Sequence, residues 1–243
     1  MNIIALIPAR LSSTRFNRKL MMDLCGKSVI TRTYNAVVST NLFTSTIVVT
    51  QDLEIYQEIL SNNGNSILIE KEYNSGTDRI AEACIDIEAD VIINIQGDEP
   101  FINKISLEAL INIFTSDMKK EISYASLMKE VGGNKEINDP NNVKVSVDNN
   151  NYALNFSRKP IYSVSDLDKN VCYKHIGVYG YRKEALINLS KLPQTELELF
   201  EKIESLRIIE SGENIKMAEV LTESVGIDTK EDLEKAVDIW KNK

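Results

Sequence analysis

The sequence predicts an α/β fold, a mixed and mostly parallel sheet flanked by helices, with a β-rich subdomain in its second half. Three observations predict it. In the first half, short runs that are apolar on both faces alternate with amphipathic helical stretches, the pattern of βαβ units in a parallel sheet. Over about residues 140–182 the pattern changes to strands joined by turn-rich links. The last part returns to helical periodicity. The 243 residues can bury a substantial core, and no internal repeat, low-complexity tract or linker interrupts them. One domain over 1–243 with a β-rich insert is therefore expected.

Each element has its own signal. "IIALI" (3–7) reads as the first strand, since "NIIALIPAR" is too short and too broken by Pro8 and Arg10 to be a signal peptide. A polar loop leads to a helical stretch around Val29–Val38, then strand "TIVVT" (46–50), helix Leu53–Leu60 and strand "SILIE" (66–70). Helix Asp78–Ile87 and strand "VIINI" (91–95) complete the alternation. "VKVSV" (143–147), "DNNN" (148–151) and "YALNFSR" (152–158) form a hairpin signal. A polar loop over 159–170 precedes strand "KHIGVYGYR" (174–182), and this insert would cover a site or make a dimer contact. Glu196–Ser211 reads as one helix with Leu197, Phe200, Ile203 and Leu206 on its apolar face, followed by a strand near Ile215–Val220 and a helix from about Lys230.

Composition narrows the function. With 36 acids against 28 bases the net charge is −8, which argues against a generic binder of nucleic acid or membrane surfaces. The first acid is Asp23, and ahead of it stand Arg10, Arg15, Arg18 and Lys19, either a solvated basic run or a holder of a small anion. Cys25, Cys84 and Cys172 are widely spaced and odd in number, so neither a zinc site nor a disulfide framework is indicated; reduced cytoplasmic thiols are expected. No apolar stretch approaches the roughly 18–20 residues of a membrane span.

The candidate chemistry begins at "NIQGDEP" (94–100), where a buried strand ends in adjacent carboxylates, Asp98 and Glu99. They read as solvated loop acids, as an acid/base pair, or as a magnesium site. Mg²⁺ takes hard oxygen ligands and often needs only one or two carboxylates plus substrate phosphates. The basic loop lies at the same carboxyl edge of the sheet, where ligands of such folds bind, so the magnesium reading is favoured. Ser75 and Asp78 stand at capping-box spacing, while Gly76 would let a ligand approach free amides at that helix start. Asp228 followed by Glu231 reads from physics alone as a capping pair for the last helix. His175, the only histidine, reads as a packed core residue, and Glu204 with Arg207 as a surface i,i+3 ion pair. Asp166-Leu167-Asp168 imitates a D-x-D motif but lacks a buried strand before it.

Several segments together resemble one family, the 3-deoxy-manno-octulosonate (Kdo) cytidylyltransferases, or CMP-Kdo synthetases. They are "IPARLSSTRF" with Lys19, "SGTDRIAE" (75–82), "NIQGDEP", "DPNNVKV" (139–145), "NFSRKPI" (155–161), "KHIGVYGYR", "EKIESLR" (201–207) and "GIDTKEDLE" (226–234). They follow the family's order from the first strand to the last helix. The resemblance implies a nucleotide-diphospho-sugar transferase-like fold, a cytoplasmic homodimer formed through the β-rich subdomain, and Mg²⁺ as cofactor. It implies that Arg10, Arg15, Lys19, Ser75, Gly76, Thr77 and Arg79 bind CTP. It assigns Asp98 and Asp228 to the metal, overturning the capping reading of Asp228, and makes Lys19, Asp98 and Asp228 the catalytic set. Gln96, Arg158, His175, Tyr179, Glu204 and Ser205 fall on the sugar-acid pocket, where Arg158 would suit a carboxylate.

Three positions depart from the family's pattern: Asn17-Arg18 replaces Pro-Gly, Leu20 replaces a proline, and Ser205 stands where glutamine is common. The implied reaction is attack of the sugar acid's anomeric hydroxyl on the α-phosphorus of CTP with loss of pyrophosphate, serving lipopolysaccharide synthesis. A sialic-type acid or an amino-substituted Kdo are alternative substrates. A sugar-nucleotide-dependent glycosyltransferase and a non-catalytic nucleotide binder are the rival classes.

Overall fold

A computed structural model of the chain describes residues 1–13, 16–71, 73, 75–131, 133–161, 172–222 and 224–242. Their contacts divide into two compact units, one of Met1–Leu107 with Ser224–Lys243 and one of Glu108–Glu223.

The first unit opens with β1 (Ile3–Ala9), α1 (Val29–Ser39), β2 (Ser45–Thr50), α2 (Leu53–Ser61), β3 (Ser66–Leu68), α3 (Gly76–Cys84) and β4 (Val91–Asn94). All pairings are parallel: β1 with β2, β1 with β4, and β2 with β3. The order is thus β3-β2-β1-β4, and the direction of winding reverses between β1 and β4. Every residue of β1 and β4 is buried, which is why both read as continuous apolar runs. The edge strand β3 is shorter than expected and half-exposed. Three helices start where the sequence places a hydroxyl or amide cap. Ser28 Oγ accepts from the Thr31 N–H and Ser75 Oγ from the Asp78 N–H. Asn103 Oδ1 accepts from Ser106 at the head of α4 (Lys104–Ser116), a helix the periodicity did not reveal.

The second unit holds β5 (Tyr124–Glu130), α5 (Asn134–Asn138), β6 (Lys144–Val147), β7 (Ala153–Ser157), β8 (Tyr173–Arg182), α6 (Lys183–Ser190), α7 (Glu196–Glu201), α8 (Ser205–Glu210) and β9 (Ile215–Glu219). Strand β5 pairs antiparallel with β8 and parallel with β9, while β6 pairs antiparallel with β7 and β8. The expected hairpin is β6–β7; Asp148 Oδ1 accepts from the Asn150 and Tyr152 N–H groups, and Asn151 takes a positive φ of 58°.

One expected helix is two. Lys202 adopts φ 57°, ψ 47° and ends α7, so the stretch 196–211 breaks before α8. The face predicted for it fails at its first half: Ile203 and Leu206 are buried, but Leu197 is 39% and Phe200 76% exposed, while Glu198 is buried. The chain then returns to the first unit in α9 (Lys230–Lys241). No described helix is long and apolar enough to cross a membrane.

Candidate active site

In an open parallel sheet, ligands bind beyond the carboxyl ends of the strands where the winding reverses. Here that point lies between β1, which runs into Arg10, and β4, which runs into Gln96–Glu99. Arg10 is exposed there. Arg15 and Asp166-Leu167-Asp168 lie outside the described residues.

The loop after β1 is closed by two backbone anchors. The Leu11 N–H donates to Asp52 Oδ2 at 2.8 Å, and the Arg18 N–H to Leu11 O at 3.0 Å. Arg18 stands where the resembling family has glycine, and it keeps the left-handed backbone a glycine would adopt, with φ 58°. Its guanidinium pairs with Glu54 at the surface. Leu20, in place of the family's proline, is buried, and its Cδ1 lies 3.2 Å from where a Cβ on Gly97 would stand. That Cβ would also come within 3.2 Å of Pro8 O, so glycine at 97 lets the loop pass close without its neighbours giving way. Between these two residues, Lys19 is seated beside the β4 loop.

Lys19 is the centre of the first unit's charge. Its Nζ donates to Asp98 Oδ2 and, at 2.8 Å, to Asp228 Oδ1. One contact brings these distant acids together, and a second anchors the β4 loop to α1. The Ile227 N–H donates to Asp98 O at 2.9 Å, setting the next residue beside Asp98, and Thr33 Oγ1 donates to Gly97 O at 2.9 Å. Burial works to lower the Lys19 pKa, but the charge of Asp98 and the hydrogen bonds to both carboxylates outweigh it and hold the ammonium above its ordinary value.

Asp228 does not cap α9. Thr229 is the N-cap, and its hydroxyl and Asp232 form a reciprocal capping box. The capping reading of Asp228 and Glu231 is thereby corrected, and the Asp228 carboxylate faces Lys19.

The donor set fits a hard cation. Two carboxylates converge on a single positive point, and their side chains remain 20% and 43% exposed, open to water and to a ligand. Among the described residues there is no cluster of three or more His, Cys, Asp or Glu arranged to hold a metal. A pair of carboxylates completed by water and phosphate is the pattern Mg²⁺ uses.

At the start of α3, Ser75 is the N-cap, as its spacing predicts. A Cβ on Gly76 would lie 3.2 Å from the Pro8 ring, so glycine lets this helix end pack against the end of β1. Thr77 and Arg79 are buried, and Arg79 Nη2 donates to Gln51 Oε1 at 3.0 Å. Gln96 is half-buried, and its carbonyl accepts from the Glu99 N–H in the turn that presents Asp98.

The second unit gathers most of the remaining candidates. The β5–β8 register slips between Ser126, opposite Tyr179, and Leu127, opposite Ile176. Such a bulge re-aims side chains. Ser126 Oγ lies 2.9 Å from Val178 O and 2.9 Å from His175 Nε2. A carbonyl only accepts, so the single hydroxyl proton goes to Val178 O and Ser126 accepts from an Nε2–H. Burial pushes the His175 pKa down to about 3, so the ring is neutral. It sits between Phe156 and Tyr179, with ring centroids at 4.9 and 5.3 Å. His175 is thus a buried histidine hydrogen-bonded through Nε2, as its place in a strand suggests.

Burial, and then the charge of Glu204, raise the Tyr179 phenol, against a smaller downward pull from Ser205. Ser205 Oγ is buried with no hydrogen bond of good geometry. Glu204 is half-buried. Arg158 is heavily engaged. Its Nε donates to Glu201 O at 2.8 Å, Nη1 to Pro140 O at 3.0 Å and Nη2 to Lys202 O at 3.4 Å. Arg207 is not a surface partner of Glu204: it is buried and forms a fork on Glu198. Glu198 and Ser126 are missing from the sequence-derived candidates. Thr195-x-x-Glu198 was legible as a capping box; nothing flagged Ser126.

The sequence pattern of the cytidylyltransferases matches residues 4–215. A 3-deoxy-manno-octulosonate cytidylyltransferase of Flavobacterium johnsoniae is 51% identical over 237 residues, covering 97% of each chain. That of Fusobacterium nucleatum is 40% identical over 243 residues, covering 99% of this chain and 98% of its own. The structure of a CMP:2-keto-3-deoxy-manno-octonic acid synthetase complexed with CTP superposes with a TM-score of 0.93 at 33% identity, covering 100% of this chain and 99% of its own. A 4-diphosphocytidyl-2C-methyl-D-erythritol synthase from Anaerococcus prevotii shares the fold alone, with a TM-score of 0.64 at 15% identity. The basic loop, the carboxylates at the winding reversal and these likenesses agree: the chain belongs to the cytidylyltransferase family, among its 3-deoxy-manno-octulosonate cytidylyltransferases.

Proposed function

We propose that this protein transfers a cytidylyl group from CTP to Kdo, giving CMP-Kdo and pyrophosphate for lipopolysaccharide synthesis in the cytoplasm. The observation that carries the reading is the convergence of Asp98 and Asp228 on one cationic point at the winding reversal. Those two residues would hold Mg²⁺. When bound, the ion supplies Lewis-acid neutralisation of phosphate charge. Lys19 and Arg10 bind phosphate, and the long stem of Lys19 lets its ammonium turn from the carboxylates to the nucleotide. Arg15, Ser75, Gly76, Thr77 and Arg79 complete the CTP side. Gln96, Arg158, His175, Tyr179, Glu204 and Ser205 take the sugar acid; a neutral His175 contributes a hydrogen bond there rather than a charge. The residues position and neutralise, and no side chain is assigned as general base.

A second substrate reading rests on Ser205. Its buried hydroxyl lacks a good partner beside Glu204, and serine leaves room that a glutamine would fill. An amino-substituted Kdo would bring a positive charge towards that carboxylate. Pyrophosphate release from CTP with Kdo, its 8-amino analogue and N-acetylneuraminate tests both. Release with Kdo is expected. CTP binding with no release on any ulosonic acid would remove the enzyme reading and favour a glycosyltransferase or a nucleotide binder.

The protein is further proposed to be a homodimer through the second unit. There Leu154, Leu199 and Phe200 are 60%, 56% and 76% exposed, apolar surface that asks for a cover. A monomer by sedimentation at micromolar concentration would contradict this.

A further inference from the structure

We infer that the buried Glu198–Arg207 pair is a positioning device that sets the seat of Glu204 and Ser205. The inference rests on the reading of those two residues as sugar-acid contacts.

Helix α8 is six residues long and follows a break, so it cannot hold its own orientation by length. One set of contacts fixes it, and a second fixes the end of α7 that leads into it. On one side, Arg207 donates from Nε to Glu198 Oε2 at 2.8 Å and from Nη2 to Glu198 Oε1 at 2.6 Å. Both side chains are 3% exposed. Glu198 is itself tied down, since its Oε2 accepts from the Thr195 N–H at 3.2 Å and its own N–H donates to Thr195 Oγ1. On the other side, Arg158 donates to the carbonyls of Glu201 and Lys202, which α7 leaves without partners at its end. Its N–H donates to Glu201 Oε2 at 3.0 Å. Buried Lys144 holds Arg158 O, Asp139 O and Asn142 O.

Holding two helices together needs no ion pair. A buried pair replaced by apolar residues of similar size is often neutral or stabilising. The fork adds direction: two parallel bonds fix the rotation of α8 about its axis. At 100° per residue, Glu204 lies within about 60° of Arg207 around that axis. The angle set by the fork is therefore the angle at which Glu204 is presented. Ser205, between them in sequence, carries the buried hydroxyl without a well-placed partner, a group whose use depends on where α8 sits.

The test is steady-state kinetics with CTP and Kdo on Arg207→Lys and on the double variant Glu198→Met with Arg207→Met, beside thermal denaturation. In the double variant, native-like or higher thermal stability is expected together with a KM for Kdo raised about tenfold or more, while the KM for CTP holds. Arg207→Lys keeps the charge but loses the fork, and is expected to shift the Kdo value in the same sense. A stable double variant with the native KM for Kdo would overturn the inference, as would a parallel rise in both KM values. If the double variant does not fold, Arg207→Lys decides alone, and an unchanged Kdo value sinks the proposal. Glu204→Gln separates the two levels. If it leaves the KM for Kdo unchanged, the sugar-contact reading fails and the inference with it. If it raises that value while the pair variants do not, only the inference fails.

Discussion

The unit built on β1–β4 and the unit built on β5–β9 carry their candidate residues in opposite states. In the first, Lys19, Asp98 and Asp228 meet one another at strand and loop ends, with the two carboxylates still partly open to solvent. In the second, His175 is bonded to Ser126, Arg158 gives three of its N–H groups to carbonyls, and Tyr179 is half-buried. The first unit stores exchangeable charge, since ions and phosphates can replace partners that are themselves ions. The second holds geometry, which on the proposed reading is how a sugar acid would be told apart, by where its hydroxyls meet fixed partners.

This contrast can be broken where the stakes are highest. Asp98→Asn is expected to lower kcat at least about 100-fold, because on the proposed reading the cation that balances the phosphates loses a ligand. Pyrophosphate release at saturating CTP and magnesium checks this, and restoration by added magnesium alone would make the effect one of affinity. Lys19→Met is expected to act less, raising the KM for CTP about tenfold, the worth of one charge-assisted hydrogen bond. An effect confined to Kdo would misplace the loop.

The fixed side of the contrast shows in stability. His175 takes a proton near pH 3 in the fold and near 6.5 in the ordinary state, so as pH falls the unfolded chain is protonated first. Stability is therefore full above about pH 6.5 and declines towards pH 3, by at most about 1.4 kcal/mol per pH unit. Thermal midpoints of the native protein and His175→Phe between pH 7.5 and 5 should converge as pH falls. Parallel curves would mean that the ring is not held neutral.

The sequence carried most of the first unit and less of the second, for physical reasons. Strands buried on both faces, such as β1 and β4, leave uninterrupted apolar runs that nothing else in the chain imitates. Strand β5 and helices α4 and α6 went unread. The break at Lys202 was hidden because its left-handed turn is held by Arg158, far away in sequence, and not by a local glycine. Arg207 was paired one turn away with Glu204, whereas it forks on Glu198, across that break. Asp228 resembled a helix cap because a true capping box, Thr229 with Asp232, begins one residue later. Local spacing found the cap and missed which residue makes it; the Ile227–Asp98 bond shows where Asp228 sits.

The central claim is that Asp98 and Asp228 act as one cation-holding pair. Asp228→Asn tests it most directly, with pyrophosphate release and thermal denaturation measured on the same preparation and Thr229→Ala beside it. Asp228→Asn is expected to lose most turnover with stability intact, whereas Thr229→Ala should lose about 1 kcal/mol of stability and keep its turnover. Near-normal turnover of Asp228→Asn would contradict the account.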